Sequence, residues 1–591
     1  MIRLAVLACV LGVALGCNVY VANNNNNNAE WHRNSVIYQI YPRSFKDSNG
    51  DGIGDLNGIT SRVGLLAELG VTALWLSPIY KSPQVDFGYD ISNFTDIDPD
   101  YGTLADFDKL VSRAKALGLK VILDFVPNHS SHEHPWFKKS VLRIKPYDEY
   151  YIWMKPKMVN GVRHPPNNWL SNFQGSAWEW NDVRKQYYLH QFATGQPDLN
   201  YRSPALKQEM QNVLTFWMKR GVDGFRIDAV NFMIENSKFL DEPKSNVSGV
   251  PADDYDSLNH IYTRDQNETY DILKSWRKLM DDFSNRTKSG ARLILTEAYT
   301  THELTVKYYD AGSNVPFNFM FLNHEITNTS TAANYKKLID KWVSSAQAAK
   351  NVPNWVVGNH DNSRVATRFG VKRADQITML SMILPGVAVV YNGDEIGMVD
   401  RHFTYKETVD PAGCNAGPNR YYLKSRDPER TPYQWDDTIS AGFSDRSHTW
   451  LPVNNNYKTL NLQAQRKATQ SHYTVFQALV ELKQTPVLAN GTVQVSLVTD
   501  KVLGVVRRQG SDVVVLLINL ADSPSIVDAK AKLNLPAELI LHIASIGSNL
   551  PVGTRVNTTK LNLPGAASVV YATPDVVKEK RWCFKVKICL R

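Results

Sequence analysis

On seven residues, Gly224-Phe225-Arg226-Ile227-Asp228-Ala229-Val230, turns the assignment of the whole chain. The apolar and aromatic positions read as a short buried strand. A strand buried on both faces ordinarily carries no charge in its middle. Here an Arg and an Asp stand two apart, so their side chains point to the same face. A buried carboxylate needs a partner or it stays protonated. Arg226 is placed to be that partner and to keep Asp228 ionised. Alone, the stretch also fits a structural ion pair at a strand end, and its neighbours decide between the two readings.

Upstream, apolar runs at 36–41, 71–76 and 120–126 read as strands, with helical periodicity at 59–69 and 104–117. Gly118 supplies a stop signal for the second helix. Downstream, strand patterns recur at 293–298, 315–320, 355–358 and 387–391. The helix pattern at 205–219 leads into the central strand, 223–229. Strand alternating with helix predicts a parallel sheet. Eight such strands predict a closed (β/α)8 TIM barrel rather than an open sheet. The rhythm breaks over 131–199, which is rich in Trp, Tyr, Pro and Asn and reads as a subdomain inserted after the third strand. From 490 the pattern changes to strands at 493–498, 502–508, 513–519, 538–544 and 567–572, predicting a C-terminal all-β sandwich. The expected organisation is therefore a barrel over 31–130 and 200–489, the insertion at 131–199, the β domain at 490–574 and a basic tail at 575–591.

The bulk numbers fit a globular chain of two or three domains. There are 591 residues, 43% hydrophobic and 21% charged. The net charge of +8 is mostly a property of residues 576–591, where Lys578, Lys580, Arg581, Lys585, Lys587 and Arg591 face only Glu579. That distribution argues against a nucleic-acid-binding face. Residues 1–16 read as a secretory signal: Arg3, an apolar run over 4–15 and a small-x-small site at Ala14-Leu15-Gly16. The run is too short to span a bilayer comfortably, because a span needs roughly 18 or more apolar residues; an uncleaved signal anchor is the alternative. Residues 17–30, with the Asn run 23–28, read as a low-complexity segment. Five cysteines do not make a disulfide scaffold, although Cys583 and Cys589 could pair. Sequons at Asn93, Asn246, Asn267, Asn285, Asn328, Asn490 and Asn557 fit a glycosylated, secreted protein. Asn128-His129-Ser130 also matches, but it falls among the candidate site residues and is expected to stay bare.

Polar residues gather where the strands end: Asp124 to His129 on the third, Arg226 and Asp228 on the fourth, Glu297 on the fifth, and Asn359-His360-Asp361-Asn362 on the seventh. In a βα barrel that face carries the active site. Asp228, Glu297 and Asp361 would converge there. Converging carboxylates repel and split their pKa values, leaving one charged to attack and another protonated to donate. That is the apparatus for breaking a glycosidic bond. A carboxylate and His metal site competes, but no His-Glu-x-x-His or similar spacing is present.

These residues make the chain resemble the α-amylase superfamily of glycoside hydrolases, and within it the secreted α-glucosidases (maltases) of insect type, over residues 36–572. The motifs that carry the likeness are Asp124-Phe125-Val126-Pro127-Asn128-His129, Gly224-Phe225-Arg226-Ile227-Asp228, Glu297 after Leu295-Thr296, Asn359-His360-Asp361, and the run from Tyr41 to Gly52. The resemblance implies Asp228 as nucleophile, Glu297 as general acid then base, and Asp361 as transition-state stabiliser. It also implies net retention, with nucleophile and acid about 5 Å apart. It implies sugar contacts from His129 and His360, stacking from Tyr89, and a lining from Phe173 and Phe192. In Asp86-Phe87-Gly88-Tyr89-Asp90, Asp90 would pair with Arg430 to close the pocket behind the terminal glucose, which means exo action. Gln196-Pro197-Asp198-Leu199-Asn200 resembles the α-glucosidase signature. Ala229, by the same likeness, favours α-1,4 bonds, hence maltose, malto-oligosaccharides and sucrose, with glucosyl transfer open. Asp47, Asn49, Asp51, the Ile53 carbonyl and Asp55 match a structural Ca²⁺ loop of bacterial relatives; a plain Asx-rich turn is the other reading. The loop resembles the start of an EF-hand but lacks its closing Glu. The implied partners are small sugars, with no nucleic acid and no clear membrane span, in a monomer or homodimer. The runner-up is a non-catalytic amylase-fold binding or transporter-accessory protein.

Overall fold

In this computed structural model, residues 18–20, 30–323 and 325–577 are described. The signal sequence, the Cys583–Cys589 pair and residues 578–591 of the tail lie outside them. Eight parallel strands form the central sheet: β1 (Val36–Ile40), β2 (Ala73–Leu76), β3 (Lys120–Phe125), β4 (Gly224–Ile227), β5 (Leu293–Thr296), β6 (Val315–Pro316), β7 (Asn354–Val356) and β8 (Val387–Tyr391). Their order is β6-β5-β4-β3-β2-β1-β8-β7, a barrel whose main-chain ladder runs everywhere except between β6 and β7. The sixth and seventh strands are shorter than their apolar runs predict. At that seam side-chain amides bond where the ladder does not. Asn318 N–H donates to Asn354 Oδ1 (2.9 Å), Asn318 Nδ2 to the Asn354 carbonyl (3.2 Å), and Asn354 Nδ2 to the Pro316 carbonyl (2.6 Å).

The period of two in the strands builds the interior in layers. Ile37, Ile122, Leu293, Val356 and Val389 fill the barrel with Trp75 and Phe317. One pleat higher, Gln39, Asp124 and Arg226 take the same inward face on β1, β3 and β4. Tyr38, Leu74, Val121 and Phe225 point outward into the cluster shared with the helices. Those helices are set by local signals. Asp55 caps Leu56–Leu69, and Thr103 and Asp106 form a capping box on Leu104–Ala116.

Between β3 and β4 the insertion carries a three-stranded antiparallel sheet (Trp178–Asn181, Gln186–Leu189, Trp153–Met154) over an aromatic core with Trp169. It is anchored on the barrel by the bridge His129–Asp198, while Tyr151–Leu199 closes the insertion on itself. The C-terminal domain has β9 (Thr492–Thr499), β10 (Val502–Gln509), β11 (Asp512–Asn519), β12 (Glu538–Ala544), β13 (Arg555–Asn557) and β14 (Ser568–Ala572). They form one antiparallel sheet in the order β9-β10-β11-β14-β12-β13, with Asn18–Tyr20 beside β9. One face of this sheet is covered by a small second layer, the ladder Ser525–Val527 with Leu561–Leu563 and the helix Ala529–Leu533. The sandwich is therefore lopsided. The other face packs on the barrel helices Val371–Ile383 and His472–Lys483.

Candidate active site

Register brings the first charges together. Arg226 on β4 lies directly opposite Asp124 on β3, both facing inward. The Arg226 Nη1 donates to Asp124 Oδ1 (2.8 Å) and Oδ2 (3.1 Å) and to Asp228 Oδ1 (2.5 Å). Its Nη2 lies 3.5 Å from Glu297 Oε2. One buried guanidinium, stacked over Trp75, thus faces three carboxylates. Glu297 Oε2 also accepts the Ala229 N–H at 2.6 Å, which fixes the end of β5 against the end of β4. Burial raises the Asp228 and Glu297 carboxyls, the attraction of Arg226 opposes that, and the two charges oppose each other. Asp228 makes the shorter contact with Arg226, so a proton held by the pair belongs on Glu297.

Asp361, on the loop after β7, stands on separate cations. Its Oδ1 accepts from Arg430 Nη2 (2.9 Å) and Arg426 Nη1 (3.3 Å). Burial works against the charge, but Arg430 and Arg426 hold this carboxyl well below the usual range. The three acidic side chains expected from the sequence therefore meet at one mouth of the barrel, in two electrostatic settings.

Behind them the pairing differs from the expected Asp90–Arg430 contact. Asp90 is fully buried and turned away from the site. It accepts the Ser82 hydroxyl and the N–H groups of Val85 and Asp86, each at 2.9 Å, and burial pushes it up to about 6. Arg430 instead holds Asp361 and the His360 carbonyl. The pair that spans the pocket is Asp86 Oδ1 with Arg426 Nη2 (2.7 Å), backed by Asp410 Oδ1 on the same nitrogen (2.6 Å). Arg426 and Asp410 were not singled out from the sequence. Arg426 and Arg430 sit four residues apart in one peptide, and nothing local tells which reaches which acid.

The two histidines expected to contact the sugar are engaged with neighbouring side chains and carbonyls. His360 Nδ1 meets Gln39 Nε2 (2.8 Å) and its Nε2 meets Tyr89 Oη (2.6 Å). Burial drives its pKa well down, so the ring is neutral. Gln39 donates to Nδ1, His360 donates from Nε2, and the Tyr89 hydroxyl in turn donates to Asp124 Oδ2 (3.2 Å). His129 Nε2 holds the Tyr89 carbonyl (3.0 Å), and its Nδ1 meets Asn128 Nδ2 (3.2 Å). Both rings hold Tyr89, and His360 Nε2 also lies 3.5 Å from Asp361 Oδ2. Phe173 and Phe192 lie together, Phe173 beneath the Arg426 guanidinium and Phe192 beside His129 and Phe232. Asn128 is 1% exposed, which leaves no room for a glycan.

On the 47–55 loop the oxygens are already engaged. Asp47 accepts the N–H groups of Asn49, Gly50 and Gly52, and Asp51 that of Ile53. Asp55 takes Ser48 and Gly58. Among the described residues no three His, Cys, Asp or Glu side chains gather as a metal site. The loop's own oxygen ligands suit a hard cation, and its turn hydrogen bonds suit an Asx turn equally well.

Comparison with known proteins agrees with this geometry. The model of the alpha amylase catalytic domain matches residues 39–491. The chain is 48% identical over 516 residues to an alpha-glucosidase of Apis mellifera, covering 87% of this chain and 90% of that one. It is 47% identical over 545 residues to Maltase A1 of Drosophila melanogaster, covering 90% and 94%. Among solved structures, the alpha-glucosyl transfer enzyme XgtA superposes with a TM-score of 0.78 at 34% identity, covering 92% of this chain and 99% of that one. A barrel with acids at the ends of β4, β5 and β7, matched over most of its length in this way, belongs to the alpha-amylase family.

Proposed function

We propose that this chain is a retaining, exo-acting α-glucosidase that releases terminal non-reducing α-1,4-linked glucose from maltose, short malto-oligosaccharides and sucrose. The observation that carries the reading is the division of one acidic cluster: Asp228 and Glu297 share Arg226, while Asp361 stands on Arg430 and Arg426. Asp228, held ionised by Arg226, attacks the anomeric carbon. Glu297 gives its proton to the departing oxygen, and the glucosyl group is left covalently on Asp228. Glu297 then takes a proton from the incoming water, and Asp228 leaves with net retention. Asp361 balances the positive charge that develops on the ring, and it is ionised for that task. The Asp86–Arg426 pair closes the far side of the pocket and favours removal of one glucose at a time. An accessory protein without catalysis would have no use for this division of charge.

Asp228→Asn is expected to lower kcat on maltose by about 10⁴-fold or more while the melting temperature holds. The glucose released first by the wild type should be the α anomer by NMR. First-formed β-glucose would overturn retention, and normal turnover by the Asn variant would overturn the nucleophile. Secretion and glycosylation belong to the same proposal. They are supported by the leader-like residues 1–16 and by the exposed sequons at Asn246, Asn267, Asn285, Asn328 and Asn557. No helix among the described residues is long and apolar enough to cross a membrane. A Ca²⁺ ion on Asp47, Asn49, Asp51, Ile53 and Asp55 would stabilise the loop without entering the chemistry. A chelator should then lower the melting temperature, and calcium should appear by elemental analysis.

A further inference from the structure

The barrel's ladder is open where two of its functional loops must be held in relation. Glu297 follows β5 and Asp361 follows β7, while β6 and β7 share no main-chain ladder. On the C-terminal face the Tyr299 side chain crosses this gap. The Tyr299 hydroxyl, two residues beyond Glu297, accepts from Asn359 Nδ2 (3.1 Å) and Asn362 Nδ2 (2.7 Å) on the β7 loop. Asn359 Oδ1 in turn accepts the Asp361 N–H (3.1 Å) and Asn362 Nδ2 (2.8 Å). The Tyr299 ring is clamped by Phe319, beyond β6, with centroids 4.4 Å apart and planes 18° from parallel. Elsewhere along the seam Arg368 donates to the carbonyls of Phe321 and Val357, and the Asn318–Asn354 amide bonds tie β6 to β7; these bonds reach neither acid.

We propose that Tyr299 is a positioning residue. Its hydroxyl, through Asn359 and Asn362, sets the main-chain position of Asp361 relative to Glu297 across the open seam. The phenol oxygen offers its acceptor capacity to the two amides, so their N–H groups are aimed and the Asn359 carbonyl is left to hold the Asp361 N–H. A main-chain ladder fixes neighbouring strand ends to a few tenths of an ångström. Without one, an unanchored loop is free to shift by about 1 Å, a displacement that can cost about 10²-fold in rate. The inference rests on the roles given above to Glu297 and Asp361.

Tyr299→Phe keeps the ring and the Phe319 stack and removes only the acceptor. Its kcat should fall about 10- to 100-fold. The loss should be equal on maltose and on 4-nitrophenyl α-glucoside, whose departure needs little acid assistance, because Asp361 serves both reactions. KM should stay within about twofold. The melting temperature and the active-site concentration, titrated with a covalent glucosidase inactivator, should match the wild type. Asn362→Ala removes a donor to the same oxygen, so the double variant should be no slower than the slower single variant. A Tyr299→Phe enzyme with wild-type kcat, additive losses in the double variant, or a fall in rate that merely tracks lost active sites would each overturn the proposal. Asp361→Asn is measured alongside: if it too turns over normally, the assignment of Asp361 fails, independently of the bridge.

Discussion

At the scale of single residues, Asp228, Glu297 and Asp361 meet where the sequence places them, while the pairing behind them moves by four positions on each side. Asp86→Asn removes the charge facing Arg426, so KM for maltose should rise about 10- to 100-fold, the worth of a charged hydrogen bond. Asp90→Asn should leave KM within about twofold and lower the melting temperature, because Asp90 serves only Ser82, Val85 and Asp86. The opposite ranking in steady-state kinetics would restore the Asp90–Arg430 pairing. Ala229 holds a left-handed conformation (φ 44°, ψ 37°) while its N–H donates to Glu297. A β-branched side chain is strained there. Ala229→Val should therefore cost stability, and by the likeness that ties a small residue here to α-1,4 bonds it should raise the isomaltose-to-maltose ratio of kcat/KM about tenfold. Equal ratios in the two enzymes would remove the specificity argument. Neither the Asp86 pairing nor the Ala229 backbone was legible in the sequence. Pairing depends on which loops approach, and φ depends on the whole turn after β4.

At the scale of elements, much more was legible, for a physical reason. Buried parallel strands are continuous apolar runs, and β1, β3, β5 and β8 fall where those runs stand. The exceptions are instructive. The runs at 315–320 and 355–358 yield only Val315–Pro316 and Asn354–Val356, because Asn318 and Asn354 spend their amides on the seam instead of extending a ladder. The junction of the insertion with the barrel is another polar device. There Asp198 accepts from Gln191 N and Nε2 and from Asn128 Nδ2. Burial, with the nearby Glu235 charge, pushes its carboxyl up to about 8. The folded chain then keeps a proton that the unfolded chain releases near pH 4. The stability this provides is whole below that point and drains away as pH rises from about 4 to about 8. Asp198→Asn cannot ionise, so its melting temperature minus that of the wild type should grow steadily from pH 5 to pH 8. A difference that is flat across that range would show that Asp198 ionises normally in the fold.

At the scale of the whole molecule, the change of pattern near residue 490 marks the β domain, but nothing in the sequence shows what fastens it to the barrel. The fastening is made of charged and amide side chains spent on carbonyls. Arg373 donates to the Leu520 carbonyl, and Gln376 to those of Asn519 and Ala566. At the centre Arg507, wholly buried on β10, donates to the carbonyls of Ile383 (2.8 Å), Leu488 (2.6 Å), Gly491 (3.1 Å) and Thr492 (3.1 Å). Ile383 closes the barrel helix Val371–Ile383, so this guanidinium caps a helix of one domain from a strand of the other. Burial brings its pKa down to about 9, and neutral carbonyls alone compensate the charge. Arg507→Met fills similar volume and leaves those buried carbonyls unpaired, at about 1–3 kcal/mol for each that water cannot reach. The two domains should then lose their mutual support. Calorimetry of the wild type should show one cooperative transition. The variant should show two, the earlier one accompanied by loss of β signal in circular dichroism. Its kcat/KM for maltose below the first transition should be unchanged, since Arg507 touches nothing at the mouth of the barrel. A single transition at the wild-type temperature would mean that apolar packing against the helices Val371–Ile383 and His472–Lys483 joins the domains without this cation.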